Sequence, residues 1–284
     1  MSKITKALEK AARERIQRTQ ERPTVPTRAP LVVPVSAHSV VGELAPAGQV
    51  AIDPHVIAAA DDASPIAEQY RILRTNFQSI RGRIGTTGSK VIVVTSAVSG
   101  EGKSITALNL AFMMARQDNL RVVLVDADLR KSSIPRWLGL PDGRAGLSTV
   151  LQRNGDLNGE LVSFLSSRLA VLPAGPTPEQ PAELLESVGF KRMLAALRTQ
   201  FDLILIDSPP VLPVADPGII AAQADGVLLI VRAGKTQRKT VLQAKELLRK
   251  MKANLIGIVM THMDPGVAGS YHYYAYRRQA SKPS

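Results

Sequence analysis

One stretch constrains this chain more than any other. Val91-Ile92-Val93-Val94-Thr95 runs directly into Ser96-Ala97-Val98-Ser99-Gly100-Glu101-Gly102-Lys103-Ser104, and Ala107, Leu108, Leu110, Ala111 and Met113 then follow at helical spacing. Five β-formers, a small-residue turn and an apolar helix make the context that a nucleotide-phosphate site requires. Gly100 and Gly102 let backbone N–H groups approach an anion, Lys103 reaches the β- and γ-phosphates, and Ser104 offers a hydroxyl to Mg²⁺. The helix N-terminus adds its partial positive charge. The usual pattern, G-x-x-x-x-G-K-[ST], is met except at its first position, which is Ala97. The candidate cofactor-binding set is Ser99, Gly100, Glu101, Gly102, Lys103, Ser104 and Ile105, for ATP with Mg²⁺.

Further strands are expected at 91–95, 121–125, 169–172, 203–207, 227–231 and 255–260, with helical patterns between most of them. Near-continuous apolar strands alternating with helices predict an α/β fold, a mostly parallel sheet with helices on both faces in a single domain. Ligands of such sheets sit at the carboxyl ends of the strands. The spacing predicts a helix over Ile66–Arg81, with Ser64 as N-cap and Pro65 at its first position. Residues 63–262 are the expected catalytic domain. Residues 1–22 read as an amphipathic helix with Ile4, Ala7, Leu8, Ala11 and Ile16 on one face. Residues 23–62, with Pro23, Pro26, Pro30, Pro34 and Pro46, read as a linker mostly without regular structure. Residues 263–284 read as a flexible, tyrosine-rich tail.

The 284 residues include no cysteine, which excludes disulfides, thiolate metal sites and iron–sulfur chemistry. With no long apolar run and no secretory h-region, a cytoplasmic protein is expected. The formal net charge of +12 is unevenly placed. Residues 1–30 hold eight Lys/Arg against three Glu, and residues 232–252 hold eight against one Glu, leaving the rest nearly neutral. No nucleic-acid fold signature accompanies these charges, so a membrane-proximal or partner-binding role is expected rather than nucleic acid.

Two more strand ends carry acids. Val122-Val123-Leu124-Val125 ends in Asp126-Ala127-Asp128, and the apolar run to Ile206 ends in Asp207-Ser208-Pro209-Pro210. Buried carboxylates are costly unless paired or near a cation. Beside Lys103 and Ser104 they make a Mg²⁺–nucleotide site, with Ser104, Asp128 and Asp207 as metal candidates and Lys103, Asp126 and Asp128 as catalytic candidates. Either Asp126 or Asp128 suits the role of base. Lys103 itself reads as a surface-loop lysine that adds little to packing. The acceptor is also suggested: of five tyrosines, Tyr271, Tyr273, Tyr274 and Tyr276 fall in the last fourteen residues.

Taken together, Ala97–Ser104, Val125–Arg130, Ile206–Pro210 and the tyrosine cluster resemble the bacterial tyrosine kinases of capsule and exopolysaccharide assembly. Glu68-x-x-Arg71-x-x-Arg74, Gly146–Leu151 and Pro181–Leu185 also fit. The resemblance covers about residues 60–280. It implies an ATP-dependent tyrosine autokinase, with Asp126 the favoured base toward the tyrosine hydroxyl and the tail tyrosines as acceptors. It also implies a homo-oligomeric ring with Glu68, Arg71 and Arg74 at the subunit interface. A membrane-embedded chain-length co-polymerase would activate the kinase and hold it at the inner face of the membrane, with a protein tyrosine phosphatase as a further partner. The N-terminal helix, Lys3 to Arg22, would be its docking element. Two alternatives share the fold: a partitioning or division-site ATPase, and a non-catalytic nucleotide switch. The first carries a second lysine in K-G-G-x-G-K, where this chain has Val98.

Overall fold

The computed structural model describes residues 30–38, 48–60, 64–84, 90–117, 120–157, 159–165 and 168–263. The expected N-terminal helix and the tail tyrosines lie outside these residues. In chain order the described strands are β1 (Leu31–His38), β2 (Gly48–Ile52), β3 (Lys90–Ser96), β4 (Val122–Asp126), β5 (Leu161–Phe164), β6 (Leu169–Leu172), β7 (Leu203–Asp207), β8 (Gly226–Arg232) and β9 (Leu255–Thr261). The described α-helices are α1 (Pro65–Arg81), α2 (Lys103–Ala115), α3 (Ile134–Trp137), α4 (Leu147–Gln152), α5 (Pro181–Glu186), α6 (Val188–Gln200), α7 (Asp216–Ala221) and α8 (Arg238–Lys250).

The strands form one sheet in the order β2-β1-β5-β6-β4-β7-β3-β8-β9. From β6 to β9 every pairing is parallel. At the other end β5, β1 and β2 pair antiparallel. Alternate residues of the parallel strands enter two separate cores. Val91, Val93, Val123 and Val125 face one layer with Phe190, Met193 and Leu197 of α6 and Leu248 of α8. Ile92, Val94, Val122 and Leu124 face the other, with Phe77 of α1 and Leu108 and Phe112 of α2. Each such side chain, fully buried, contributes roughly 1.5–3 kcal/mol, which explains why the strands read as unbroken apolar runs.

The six expected strands and the α1 helix form as anticipated. Ser64 Oγ accepts a hydrogen bond from Ala67 N at 3.2 Å, capping α1 as its sequence predicts. The stretch read as an irregular linker departs from expectation, since β1 and β2 lie within it. Pro34 hides this strand, because proline lacks the donor a ladder needs. Here Pro34 pairs only with Gln49 of β2, while β1 meets β5 further along, at Ser36–His38. A proline with a strand partner on one side only is tolerated. β5, four residues long, is too short to show a period.

Candidate nucleotide site

β4, β7 and β3 lie side by side and parallel, so their carboxyl ends open on one edge of the sheet. The loop from Ala97 joins β3 to α2 there. Gly100 and Gly102 adopt φ of +80° and +88°, a left-handed backbone that a side chain would strain. α2 therefore begins at Lys103, with its first N–H groups at the loop.

Lys103 is not a surface lysine, contrary to the expectation from sequence. Its side chain is 12% exposed, and Nζ lies 2.8 Å from Asp128 Oδ2, 3.4 Å from Asp207 Oδ2 and 3.0 Å from Ser104 Oγ. Burial works against its charge, but Asp207 and Asp128 outweigh that and its pKa is raised. The tertiary fold converts an apparent loop cation into the counter-ion of two strand-end carboxylates.

Asp126 and Asp207 occupy the same rung of β4 and β7, and neither is exposed to solvent. Burial, reinforced by Asp207, pushes Asp126 up to about 7. Asp126 accepts hydrogen bonds from Ser132 Oγ at 2.7 Å, Ile134 N at 3.3 Å and Asp128 N at 3.2 Å. Burial also raises Asp207, against the opposing pull of Lys103 and a Ser104 hydrogen bond. Asp207 Oδ1 is buried and has no hydrogen-bond partner among the described residues. An orphaned carboxylate oxygen beside the Ser104 hydroxyl and Asp128 fits a hard, oxygen-seeking cation. No group of three or more His, Cys, Asp or Glu side chains is arranged to hold a metal among the described residues. Such a cation would therefore complete its shell from phosphates and water, as Mg²⁺ does.

The rest of the expected binding set divides in two. Ser99 and Gly100 are exposed and line a cleft of about 330 Å³ with Arg232, Lys235, Thr236 and Gln237. Glu101 is buried, and its carboxylate is already engaged, accepting from Val98 N at 2.8 Å, Thr236 Oγ1 at 2.5 Å and Arg232 N at 3.3 Å. Thr261 Oγ1 donates to the Glu101 carbonyl at 2.7 Å. The Glu101 carboxylate therefore clamps the phosphate loop to the end of β8 and the turn after it, while the Glu101 backbone carbonyl ties the loop to the end of β9. Ile105 likewise packs its side chain on the α1–α2 core. Arg232, Lys235 and Thr236 were not singled out as site residues. They stand some 130 residues from the loop, and only the β3–β8 pairing brings them to it.

A second clamp holds the acidic loop. Arg130 Nε and Nη2 donate to Asp216 Oδ2 and Oδ1 at 2.8 and 3.0 Å, with Asp216 fully buried at the start of α7. On α1, Glu68 and Arg71 pair at 2.9 Å, and Arg74 Nε is buried without a hydrogen-bond partner among the described residues.

Residues 88–272 match the model of the family described as ParA: NUBPL iron-transfer P-loop NTPase. With no cysteine, this chain has no thiolate to hold an iron–sulfur cluster. Over 222 residues the chain is 37% identical to the tyrosine-protein kinase YwqD of Bacillus subtilis, covering 78% of this chain and 91% of that one. Its fold is similar to the crystal structure of the chimerical protein CapA2B2, with a TM-score of 0.67, 31% identity, and coverage of 75% and 92% of the two chains. It is also similar to the kinase domain of the Escherichia coli tyrosine kinase ETK, with a TM-score of 0.66, 26% identity, and coverage of 74% and 82%. No helix among the described residues is long and apolar enough to cross a membrane. Strand-end carboxylates around a buried loop lysine, on a sheet shared with solved kinase domains and across most of the length of a tyrosine kinase, establish that this chain belongs to the bacterial tyrosine-protein kinase family of P-loop nucleotide-binding proteins.

Proposed function

We propose that the protein transfers the γ-phosphoryl group of ATP to tyrosines of its own C-terminal cluster, Tyr271, Tyr273, Tyr274 and Tyr276. The observation that carries this reading is the convergence of Lys103, Ser104, Asp126, Asp128 and Asp207 at one sheet edge. Phosphoryl transfer needs charge neutralisation, positioning and a proton acceptor. Ser104, Asp128 and Asp207 would hold Mg²⁺, which supplies charge neutralisation when bound. Lys103 and the loop N–H groups would orient the phosphates. Asp126, with a pKa near 7, is suited to take the tyrosine proton at neutral pH. The Ser132 and Ile134 donors hold its carboxylate in place.

The relatives named CpsD, CapB and EpsB are tyrosine kinases or putative tyrosine kinases. Together with the sequence resemblance they support a role in capsule or exopolysaccharide assembly. The sequence resemblance further implies a membrane co-polymerase as activator, with the kinase held peripherally at the inner face of the membrane through it. A ring built through Glu68, Arg71 and Arg74 would let each tail enter a neighbour's site. Each phosphorylated tyrosine would add about −1.5 to −2 charge beside carboxylates and loosen the ring. A tyrosine phosphatase would reset it.

The test is mass spectrometry of the tail after incubation with ATP and Mg²⁺, alongside Lys103→Met. Phosphate on Tyr271–Tyr276 in the parent alone is expected. ATP hydrolysis with an unmodified tail, even with an activating membrane partner supplied, would favour the switch-ATPase reading instead.

A further inference from the structure

Helix α8 has two unlike faces. Ala244 and Leu248 are buried against the sheet and seat the helix. About a quarter-turn round from that seat Arg238, Lys245 and Arg249 fall at i, i+7 and i+11, in one line along the axis, and Lys239 and Lys250 lie further round the outer face past Glu246, all five exposed. Thirteen residues of helix span about 20 Å, so these cations can meet one flat surface together. Leu242, at i+4 in the same line, is 47% exposed. It takes no part in seating the helix, and a cationic face has no internal need for it.

Several arginines of the molecule, Arg71, Arg121, Arg153 and Arg198 among them, each meet a carboxylate. On α8 only Arg249 does, with Glu246 at 3.0 Å, whereas Arg238, Lys239, Lys245 and Lys250 meet none among the described residues. Residues 232–252 carry eight Lys/Arg against one Glu. Arg238, Lys239, Lys245 and Lys250 are thus placed without a carboxylate partner among the described residues, on a helix that also exposes a leucine.

We infer that the exposed face of α8 is a membrane-surface contact, its cations set against anionic lipid headgroups and Leu242 entering the acyl boundary. Charge complementarity names the occupant, since a bilayer with anionic lipids offers a plane of negative charge over an apolar layer. A nucleic-acid backbone would use the same cations but give Leu242 no apolar partner. The contact has a consequence for the site. The connection leading into α8 is tied to the phosphate loop through Thr236 and Glu101, so docking would hold the nucleotide cleft at the bilayer surface. The inference does not rest on phosphotransfer, and lipid binding measured without nucleotide keeps the two readings separable.

The experiment is co-sedimentation of the full chain with phosphatidylcholine vesicles, with and without phosphatidylglycerol. Binding is expected only to the anionic vesicles and should weaken as salt screens the charges. The variant carrying Arg238→Gln, Lys245→Gln and Arg249→Gln should partition about 100-fold less, at about fivefold per cation. Its thermal midpoint should match the parent's, because the replaced side chains are exposed. Leu242→Ser should keep the salt-sensitive binding and lose the part that persists at high salt. The proposal is overturned if the triple variant binds like the parent, or if binding vanishes only when Lys3, Lys6 and Lys10 are replaced. It is also overturned if neutral vesicles bind equally, if no vesicle binds, or if duplex DNA captures the face while Leu242→Ser leaves vesicle binding untouched at every salt concentration.

Discussion

Asp126 and Asp207 face each other across one rung of two adjacent parallel strands, both without solvent exposure, and a single buried lysine lies within reach of this acidic cluster. Two carboxylates this close in a dry setting cannot both ionise freely. The arrangement is unfavourable for stability and useful for binding a cation with a polyphosphate.

A pH dependence of stability follows. Asp126 titrates at 3.8 unfolded and at about 7 folded, so the folded state holds its proton more tightly. A carboxylate raised in this way contributes its full stability below the unfolded pKa and loses it as pH rises through the folded one. The protein without nucleotide should therefore lose stability between about pH 4 and pH 7, by on the order of 4 kcal/mol from this group. Asp207, also raised, acts in the same direction. Thermal melts across that range check it, and Asp126→Asn should flatten the slope.

Lys103→Met should lower tail phosphorylation by at least about 100-fold, since a preorganised charge at the transferred group is lost. It should also destabilise the fold, by up to about 3–5 kcal/mol, because a buried ion pair is broken from one side. The loss should shrink as pH falls, because Asp207, whose carboxyl burial already pushes up, can take up a proton in place of its lost counter-ion. Urea melts over a range of pH separate this from an effect on catalysis alone.

Glu101→Ala removes the acceptor of Val98 N, Arg232 N and Thr236 Oγ1. Leaving buried donors unmade costs about 1–3 kcal/mol, and the phosphate loop loses its anchor to β8. Denaturant melts should show that loss, and titration calorimetry should show weaker nucleotide binding. Glu101→Gln, which keeps an acceptor oxygen, should recover part of both.

Arg130→Ala leaves Asp216 buried and unpaired at the start of α7. Arg130 is itself 41% exposed, which places the cost near the lower end of the about 3–5 kcal/mol typical of a broken buried pair. Chemical denaturation at neutral pH measures it.

Arg71→Ala with Arg74→Ala should reduce oligomerisation and autophosphorylation together, if neighbouring subunits phosphorylate each other's tails. Light scattering and phosphotyrosine content, read on the same samples, decide the matter. A monomer with undiminished phosphorylation would show that transfer occurs within one chain.

The sequence by itself determined the parallel sheet, the phosphate loop and the three strand-end aspartates. Those features are local: β-branched runs buried on both faces, glycines that permit a left-handed turn, and acids at the point where each run stops. Only the tertiary structure decided what surrounds them. Lys103 is a counter-ion rather than a loop lysine because the strand order puts β7 beside β3 and β4 on the far side of β7. Glu101 is a clamp rather than a ligand because β8 and β9 deliver Arg232, Thr236 and Thr261 to it from about 130 to 160 residues away. β1 stayed hidden behind Pro34 because whether a proline breaks a strand depends on which side its neighbours lie. Spacing along a chain encodes period and turn, whereas pairing between strands encodes which charges meet, and pairing is settled by the burial of the whole sheet.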